Sequence, residues 1–320
     1  MNKKMQKLVS VVMSVYNEPF HYIEQAVDSI INQTYPRIEI IIIIDNPGNV
    51  EIIDRLNEKY RDTDQIKIIV NGQNMGLAES LNVGIDYANG FYIARMDADD
   101  ISLPDRISKE INYLEAQGLD LVACAVEKID GDGNSLGAIH PTAISPEEIS
   151  RYIAYKNPIV HPTVIMKTEA VRSVGKYRNF NACQDYDLWT RFVTQGYKLG
   201  QLDEILFCFR RHKGSITATR RFSQVINELY IQDLFIERQR TGGKDSFSDE
   251  NLNYFRDSHG ASNQKVVERE NRLLANYNLG IQAVKEHKFG KGIKLIIPSL
   301  RSNLVRTVIR TTIKTKNQSR

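Results

Sequence analysis

The sequence predicts an α/β protein with a doubly wound, mostly parallel sheet and a helical extension toward its C-terminal end. Three observations carry that expectation. Short β-branched runs alternate with amphipathic helical stretches from residue 8 to about 127, the connections between them are short, and polar clusters fall where the strands end. In such sheets ligands gather at the carboxyl ends of the strands.

Leu8–Val15 and Ile38–Ile44 are apolar runs of the kind buried in parallel sheets, and residues 66–70, 91–96 and 119–126 continue the series. Between them, Phe20, Ile23, Val27, Ile30 and Ile31 share one helical face, as do Leu77, Leu81 and Ile85. A further helix is expected over Leu103–Gln117, with Asp100 or Ser102 before it. Past residue 127 the rhythm changes. Residues 128–135, rich in Gly, Asp and Asn, suit a hairpin turn. A helix over 146–155, a short strand over 163–166, a helix over 184–195 and a last strand over 206–211 follow. Residues 241–262 read as a polar linker or loop, and 264–315 as helices broken at Gly290 and Pro298.

At 320 residues, the chain accommodates a catalytic-sized domain over 1–220 and a helical extension over 221–320. Nowhere do 18 apolar residues run together, so no spanning helix is expected. Cys124, Cys183 and Cys208 are odd in number and lack metal spacing, which fits a reducing cytoplasm, and no signal-peptide pattern precedes the first strand. Charge is uneven. Residues 285–320 hold ten Lys/Arg against Glu286 alone, whereas the preceding 284 residues hold 32 basic and 38 acidic side chains. A basic tail on an acidic body points to an anionic partner. Leu300, Leu304, Val305, Val308, Ile309 and Ile313 lie on one helical arc of that tail, with Arg306, Arg310 and Lys314 on another side. The arc suits an interfacial helix on the inner face of the plasma membrane, or else a helix packed on the body. No nucleic-acid partner is expected, because the helix from Leu300 onward has no aromatic residue for base stacking.

The sharpest local signal is Asp97-Ala98-Asp99-Asp100, directly after a strand. Three adjacent carboxylates repel one another, and a hard divalent cation relieves the repulsion while leaving positions for phosphate oxygens. An EF-hand loop is excluded by Ile101 and Ser102. Helix capping accounts for Asp100 or Ser102 but not for all three acids. Asn74-Met75-Gly76 opens a helix and suits either close backbone approach to an anion or a plain capped turn. Gln184-Asp185-Tyr186-Asp187-Leu188-Trp189 places two acids at a helix start, fit for accepting a proton from a hydroxyl or for compensating the helix dipole. Arg210-Arg211-His212-Lys213 concentrates positive charge after a strand, suiting a diphosphate or a solvated loop. Asn157-Pro158-Ile159-Val160-His161-Pro162-Thr163 is a rigid turn whose histidine suits a structural role or substrate contact.

Taken in order, these segments resemble the family 2 glycosyltransferases of the inverting, GT-A-fold type found in bacterial surface-polysaccharide assembly. The match runs through residues 11–18, Asp45, Asn74-Met75-Gly76, Leu81-Asn82-Val83-Gly84, Ala94-Arg95-Met96-Asp97-Ala98-Asp99-Asp100, Pro104-Asp105-Arg106, His161-Pro162-Thr163, residues 184–189 and Arg211-His212. It implies a GT-A type sheet and transfer of a hexose from a nucleotide sugar, a UDP-sugar first, to a glycan or polyprenyl-linked oligosaccharide. By the same resemblance, Tyr16, Glu18 and Asp45 would hold base and ribose, and Gly76 would let the nucleotide approach. Arg95 lies in the matched donor segment. Asp97 would contact ribose or diphosphate, and Asp99 would ligate Mn2+ or Mg2+. Arg211 and His212 would steady the diphosphate, with His212 able to join the metal. Asp185 matches the catalytic base. Gln184 replaces the acid that usually precedes it, and His161, Gln184, Asp187 and Trp189 are the acceptor-side candidates. Two other functions compete. A sugar-phosphate nucleotidyltransferase requires a Gly-rich basic loop after the first strand, which Tyr16-Asn17-Glu18-Pro19-Phe20 lacks. A non-catalytic sugar-nucleotide or glycan-binding module would not require Asp185.

Overall fold

The computed structural model describes residues 6–180, 182–211 and 221–318, with side chains described to 314. The chain forms two units. The first comprises residues up to Ser150, Pro158–Asn179 and the segment from Asp187; the second comprises Arg151–Asn157, Phe180–Tyr186 and the helices from Arg221 onward.

The first unit is built on a nine-stranded sheet. Its strands are β1 (Val9–Val15), β2 (Ile38–Ile44), β3 (Ile66–Val70), β4 (Tyr92–Asp97), β5 (Ile101–Ser102), β6 (Leu121–Ile129), β7 (Ser135–Ile139), β8 (Ile165–Lys167) and β9 (Leu199–Arg210). They are ordered β3-β2-β1-β4-β8-β6-β9-β5, with β7 paired to β6. β1 is parallel to β2 and β4, and β2 to β3. β8 is antiparallel to both β4 and β6, so β6 and its parallel partner β9 run the same way as β4. Six of the nine strands therefore share one direction, and their carboxyl ends share one edge.

Residues 20–31 form α1 (Phe20–Ile31), which buries Ile23, Ala26, Val27 and Ile30, the face its sequence periodicity predicts. α2 (Val50–Lys59) is capped by Asn49, whose side chain accepts from the Ile52 amide at 3.3 Å. α3 (Leu77–Tyr87) lies so close to the sheet that a Cβ at Gly84 would come within 2.4 Å of Val12 Cγ1. α4 (Arg106–Gln117) is held by the buried pair Arg106–Glu110 at 3.0 Å, and Arg106 also donates to the Arg95 carbonyl at 3.1 Å. Burial outweighs that pairing at Glu110 and raises its carboxyl to about 7.

Three elements of this unit differ from expectation. α4 starts at Arg106 rather than Leu103, because Ile101 and Ser102 pair with Cys208 and Phe207, and the Leu103 amide bonds Leu206 O at 3.0 Å. That pairing also removes Asp100 and Ser102 from helix capping. The expected strand at 163–166 begins instead as a 3-10 turn over His161–Thr163, stabilised by Thr163 Oγ1 donating to Val160 O at 2.8 Å; β8 follows it. β9 begins seven residues earlier than expected, since Gln201, Asp203 and Glu204 mask its periodicity.

α5 (Pro146–Tyr152), α6 (Thr168–Ser173) and α7 (Gln184–Thr194) complete the middle of the chain. In the second unit follow α8 (Arg221–Thr241), α9 (Asp249–Ser258), α10 (Gln264–Lys285), α11 (Phe289–Ser299) and α12 (Asn303–Gln318). α9 replaces part of the loop expected at 241–262. Ser248 caps it by accepting from the Asn251 amide at 3.0 Å, and Asp249 and Glu250 suit its first turn. The break expected at Gly290 lies at residues 286–288, where His287 takes φ 60°, and α11 runs through Gly290 and ends one residue after Pro298. Phe222, Val225, Ile226, Leu274, Leu304 and Val305 form this unit's apolar core, with Val308 and Ile309 packed against it. Four of the six apolar tail residues thus pack within this unit's own core.

Candidate functional site

The carboxyl edge of the parallel strands carries the acidic cluster. Asp97 ends β4, and Asp99 and Asp100 follow in the turn to β5; ligand oxygens of the three carboxylates lie within 4.8 Å of one another. Asp97 meets the buried Arg95 at 2.5 Å. Asp100 is fully buried: one oxygen accepts from the Arg210 amide at 2.7 Å, and the other has no hydrogen-bond partner among the described residues. Burial, reinforced by the charges of Asp97 and Asp99, pushes the Asp100 carboxyl well above its ordinary range.

Glu18, three residues past β1, belongs to the same group of charges. Burial raises its carboxyl, and Asp99 and Asp97 raise it further, against the opposing hydrogen bond from the Tyr16 amide at 2.7 Å. The Tyr16 ring is exposed. Asn17 Oδ1 accepts from Asn46 at 2.7 Å and Asn49 at 3.3 Å, tying the loop after β1 to the loop after β2.

Asp45, at the end of β2, is buried and fully engaged with protein. Its Oδ1 accepts from Asn71 Nδ2 and the Met75 amide, and its Oδ2 from the Gly76 amide, each at 2.8 Å. It therefore sets the loop that opens α3. Gly76 has φ 82°, and a Cβ there would meet nothing within 4 Å, so its backbone conformation alone demands glycine.

Arg210, at the end of β9, connects the remaining loops. Its Nε donates to Asp99 O at 2.7 Å, its Nη1 to Asp130 O and Gly131 O at 3.2 and 3.0 Å, and its Nη2 to Gln25 Oε1 at 2.8 Å. The guanidinium also lies 4.3 Å over the Tyr22 ring. Arg211 is exposed, with its amide bonded to Ile129 O at 2.8 Å. His212 lies outside the described residues.

The acceptor-side candidates separate. His161 Nε2 bonds Tyr177 Oη at 2.9 Å, and burial with the nearby Arg95 charge lowers its imidazole well below the ordinary value. Asn82 clamps Tyr177 from the backbone, accepting from its amide and donating to its carbonyl, both at 2.9 Å. Asp187 and Trp189 are fully buried: Asp187 pairs with Arg191 at 2.9 Å, and Trp189 packs edge-on against His161 and Phe192. Neither of these two acceptor-side candidates is exposed in this structure. Gln184 and Asp185 belong to the second unit. Gln184 is buried, while Asp185 is partly accessible and accepts from Asn157 Nδ2 at 2.7 Å. The two residues before them, Ala182 and Cys183, both have positive φ, 117° and 71°, and are held by Asn227 Nδ2 to Ala182 O at 2.9 Å and by Cys183 Sγ to Gln224 O at 3.6 Å. Strain of this kind persists only where the surroundings impose it.

The profile of glycosyl transferase family 2 matches residues 10–175, from β1 through α6. The chain belongs to that family. It is 36% identical over 204 residues, 63% of this chain and 70% of the other, to an uncharacterized glycosyltransferase of Methanocaldococcus jannaschii. It is 28% identical over 236 residues, 73% of this chain and 88% of the other, to the amylovoran biosynthesis glycosyltransferase AmsE of Erwinia amylovora. Among solved structures, a mannosyltransferase from Pyrobaculum calidifontis in complex with GDP-Man and Mn2+ superposes with TM-score 0.58 at 19% identity, covering 98% of this chain and 88% of that one. The fold is that of the GT-A glycosyltransferases.

In this transferase the acidic cluster fits a divalent cation. Burial raises Glu18 and Asp100, the charges of Asp97 and Asp99 add to it, and a bound cation would relieve that added repulsion and engage the remaining buried oxygen of Asp100. Sequence reasoning missed three supports: Arg210 as the organiser of the acidic turn, Asn157 as the partner of Asp185, and Asn82 as the clamp on Tyr177. All three stood in segments already singled out, but their partners lie 28 to 185 residues away and leave no local pattern.

Proposed function

We propose that this glycosyltransferase moves a hexose from a nucleotide sugar, a UDP-sugar first, onto a hydroxyl of a growing, polyprenyl-linked surface glycan, with inversion at the anomeric carbon. The observation that carries the donor half is the convergence of Asp97, Asp99, Asp100 and Glu18 at the carboxyl edge of the sheet. AmsE, named for amylovoran biosynthesis, supports the polysaccharide context. The Mn2+ and GDP-Man bound by the Pyrobaculum mannosyltransferase support a metal-assisted nucleotide-sugar donor.

Asp99, with Asp97, would hold Mn2+ or Mg2+. The cation would supply positive charge to the diphosphate as it leaves. Tyr16 and Glu18 would line the nucleotide, while Asp45 holds the Met75 and Gly76 amides in place beside it. Asp185 would take the proton from the acceptor hydroxyl, held in orientation by Asn157. Attack on the sugar face opposite the leaving group inverts the centre in one displacement.

Turnover of UDP-Glc, UDP-Gal, UDP-GlcNAc, UDP-GalNAc, dTDP-rhamnose and GDP-mannose, each with and without Mn2+, tests the reading. Metal-dependent turnover of one donor, lost in Asp185→Asn, is expected. Donor binding without turnover by any acceptor or water, unchanged in Asp185→Asn, would instead assign a binding module.

A further inference from the structure

The second unit carries an apolar face that its own core does not cover. α10 and α11 pack at a glycine contact: a Cβ at Gly280 would meet Ile296 Cγ1 at 2.6 Å, and one at Gly292 would meet Val284 Cγ2 at 2.5 Å. This contact, together with the buried Ser299, fixes which side of α11 faces inward. On the side left outward, Phe289, Ile293, Ile297 and Leu300 are 56%, 53%, 62% and 38% exposed. At 3.6 residues per turn these four fall within an arc of about 80°. Lys294 and Arg301 border the arc on the side away from the glycine seam, with Lys291 beyond them, and all three are exposed. α11 contains no acidic residue.

We propose that this face of α11 seats the protein on an anionic lipid surface, with Phe289, Ile293, Ile297 and Leu300 among the acyl chains and Lys291, Lys294 and Arg301 at the headgroups. The charge pattern selects this occupant. An apolar row bordered by cations on a helix without acids matches the interfacial arrangement, whereas a protein partner would require no such one-signed rim. No helix among the described residues is long and apolar enough to cross a membrane, so the contact is interfacial. The inference moves the membrane contact from α12, whose Leu304 and Val305 are core residues, to α11. It is independent of the transfer chemistry, since it needs neither donor nor acceptor.

Co-sedimentation of the full chain with vesicles of phosphatidylcholine alone, or with added phosphatidylglycerol, tests it without any substrate. The wild type should bind the anionic vesicles and bind the neutral ones at least tenfold more weakly. The triple variant Phe289→Ser/Ile293→Ser/Ile297→Ser should lose at least tenfold on anionic vesicles, and Lys291→Glu/Lys294→Glu should lose the preference for anionic lipid. Ile313→Ser, on the exposed part of α12, should bind as wild type. Circular dichroism and thermal melting establish that each variant is folded. Wild-type binding by the triple variant, or none by the wild type, would overturn the assignment. So would sedimentation velocity showing that the triple variant turns a dimer into a monomer, which would make the face a contact between two copies of the chain.

Discussion

Arg210 holds the acidic turn from both sides of its backbone: its amide donates to the Asp100 carboxylate at 2.7 Å, and its guanidinium donates to the carbonyl of the preceding residue, Asp99, at 2.7 Å. One residue of β9 therefore positions two consecutive residues of the turn after β4. Because the buried guanidinium also bonds Asp130 O, Gly131 O and Gln25, its loss leaves several partly buried acceptors unpaired. Arg210→Met should cost about 3 kcal/mol in urea unfolding and weaken the response to Mn2+. Arg210→Lys should restore little, since one ammonium cannot span that fork.

Asp99→Ala should remove the metal response of donor binding while leaving unfolding near wild type. Calorimetric titration of UDP-sugar at rising Mn2+ reads this directly. An unchanged metal response would count against Asp99 as ligand.

Asp185→Asn keeps an acceptor for the Asn157 amide but removes the base. Transfer should fall by at least about 100-fold while donor affinity stays within twofold. Loss of donor affinity as well would show that Asp185 supports structure instead.

His161 gives a pH signature. Burial and Arg95 lower its imidazole below the ordinary value of 6.5, so below that pH the unfolded chain takes up a proton that the folded chain refuses. Its contribution is fully present above pH 6.5 and is lost as pH falls, at up to about 1.4 kcal/mol per pH unit. Urea unfolding from pH 7.5 to 5.5 should therefore be flatter in His161→Gln than in wild type.

At Gly76 a side chain meets no neighbour, so Gly76→Ala reports the backbone alone. It should cost about 1–3 kcal/mol, and Gly76→Asn about as much, by urea unfolding, because φ 82° with ψ 165° is a region open essentially to glycine alone.

The sequence made some of this legible and hid the rest for identifiable reasons. Ile38–Ile44 and Ile66–Val70 coincide with β2 and β3 because β-branched residues dominate both, with Glu39 and Lys67 the one interruption in each. The sequence pattern shows only the end of β9 because Gln201, Asp203 and Glu204 interrupt it, and the α9 segment resembles a loop because nearby Gly242 and Gly243 outweigh the Ser248 cap. The acidic turn was visible because its members are adjacent. The burial of Trp189 was hidden because the sequence next to Asp185 cannot say which turn of α7 faces inward. Arg210 was hidden because most of its partners are carbonyls, which carry no residue identity.

The near-contact of Gly84 with Val12 has a mechanical consequence. With no side chain on Gly84, α3 packs directly on the Val12 side chain of β1, and Gly76 stands at the N-terminal end of that tightly seated helix. Whatever motion admits and releases a donor must then be carried by the loops after β1, β2 and β4 rather than by α3 rocking on the sheet. Central amides of α3 should accordingly exchange with solvent only on global unfolding, at the same rate with or without a bound nucleotide.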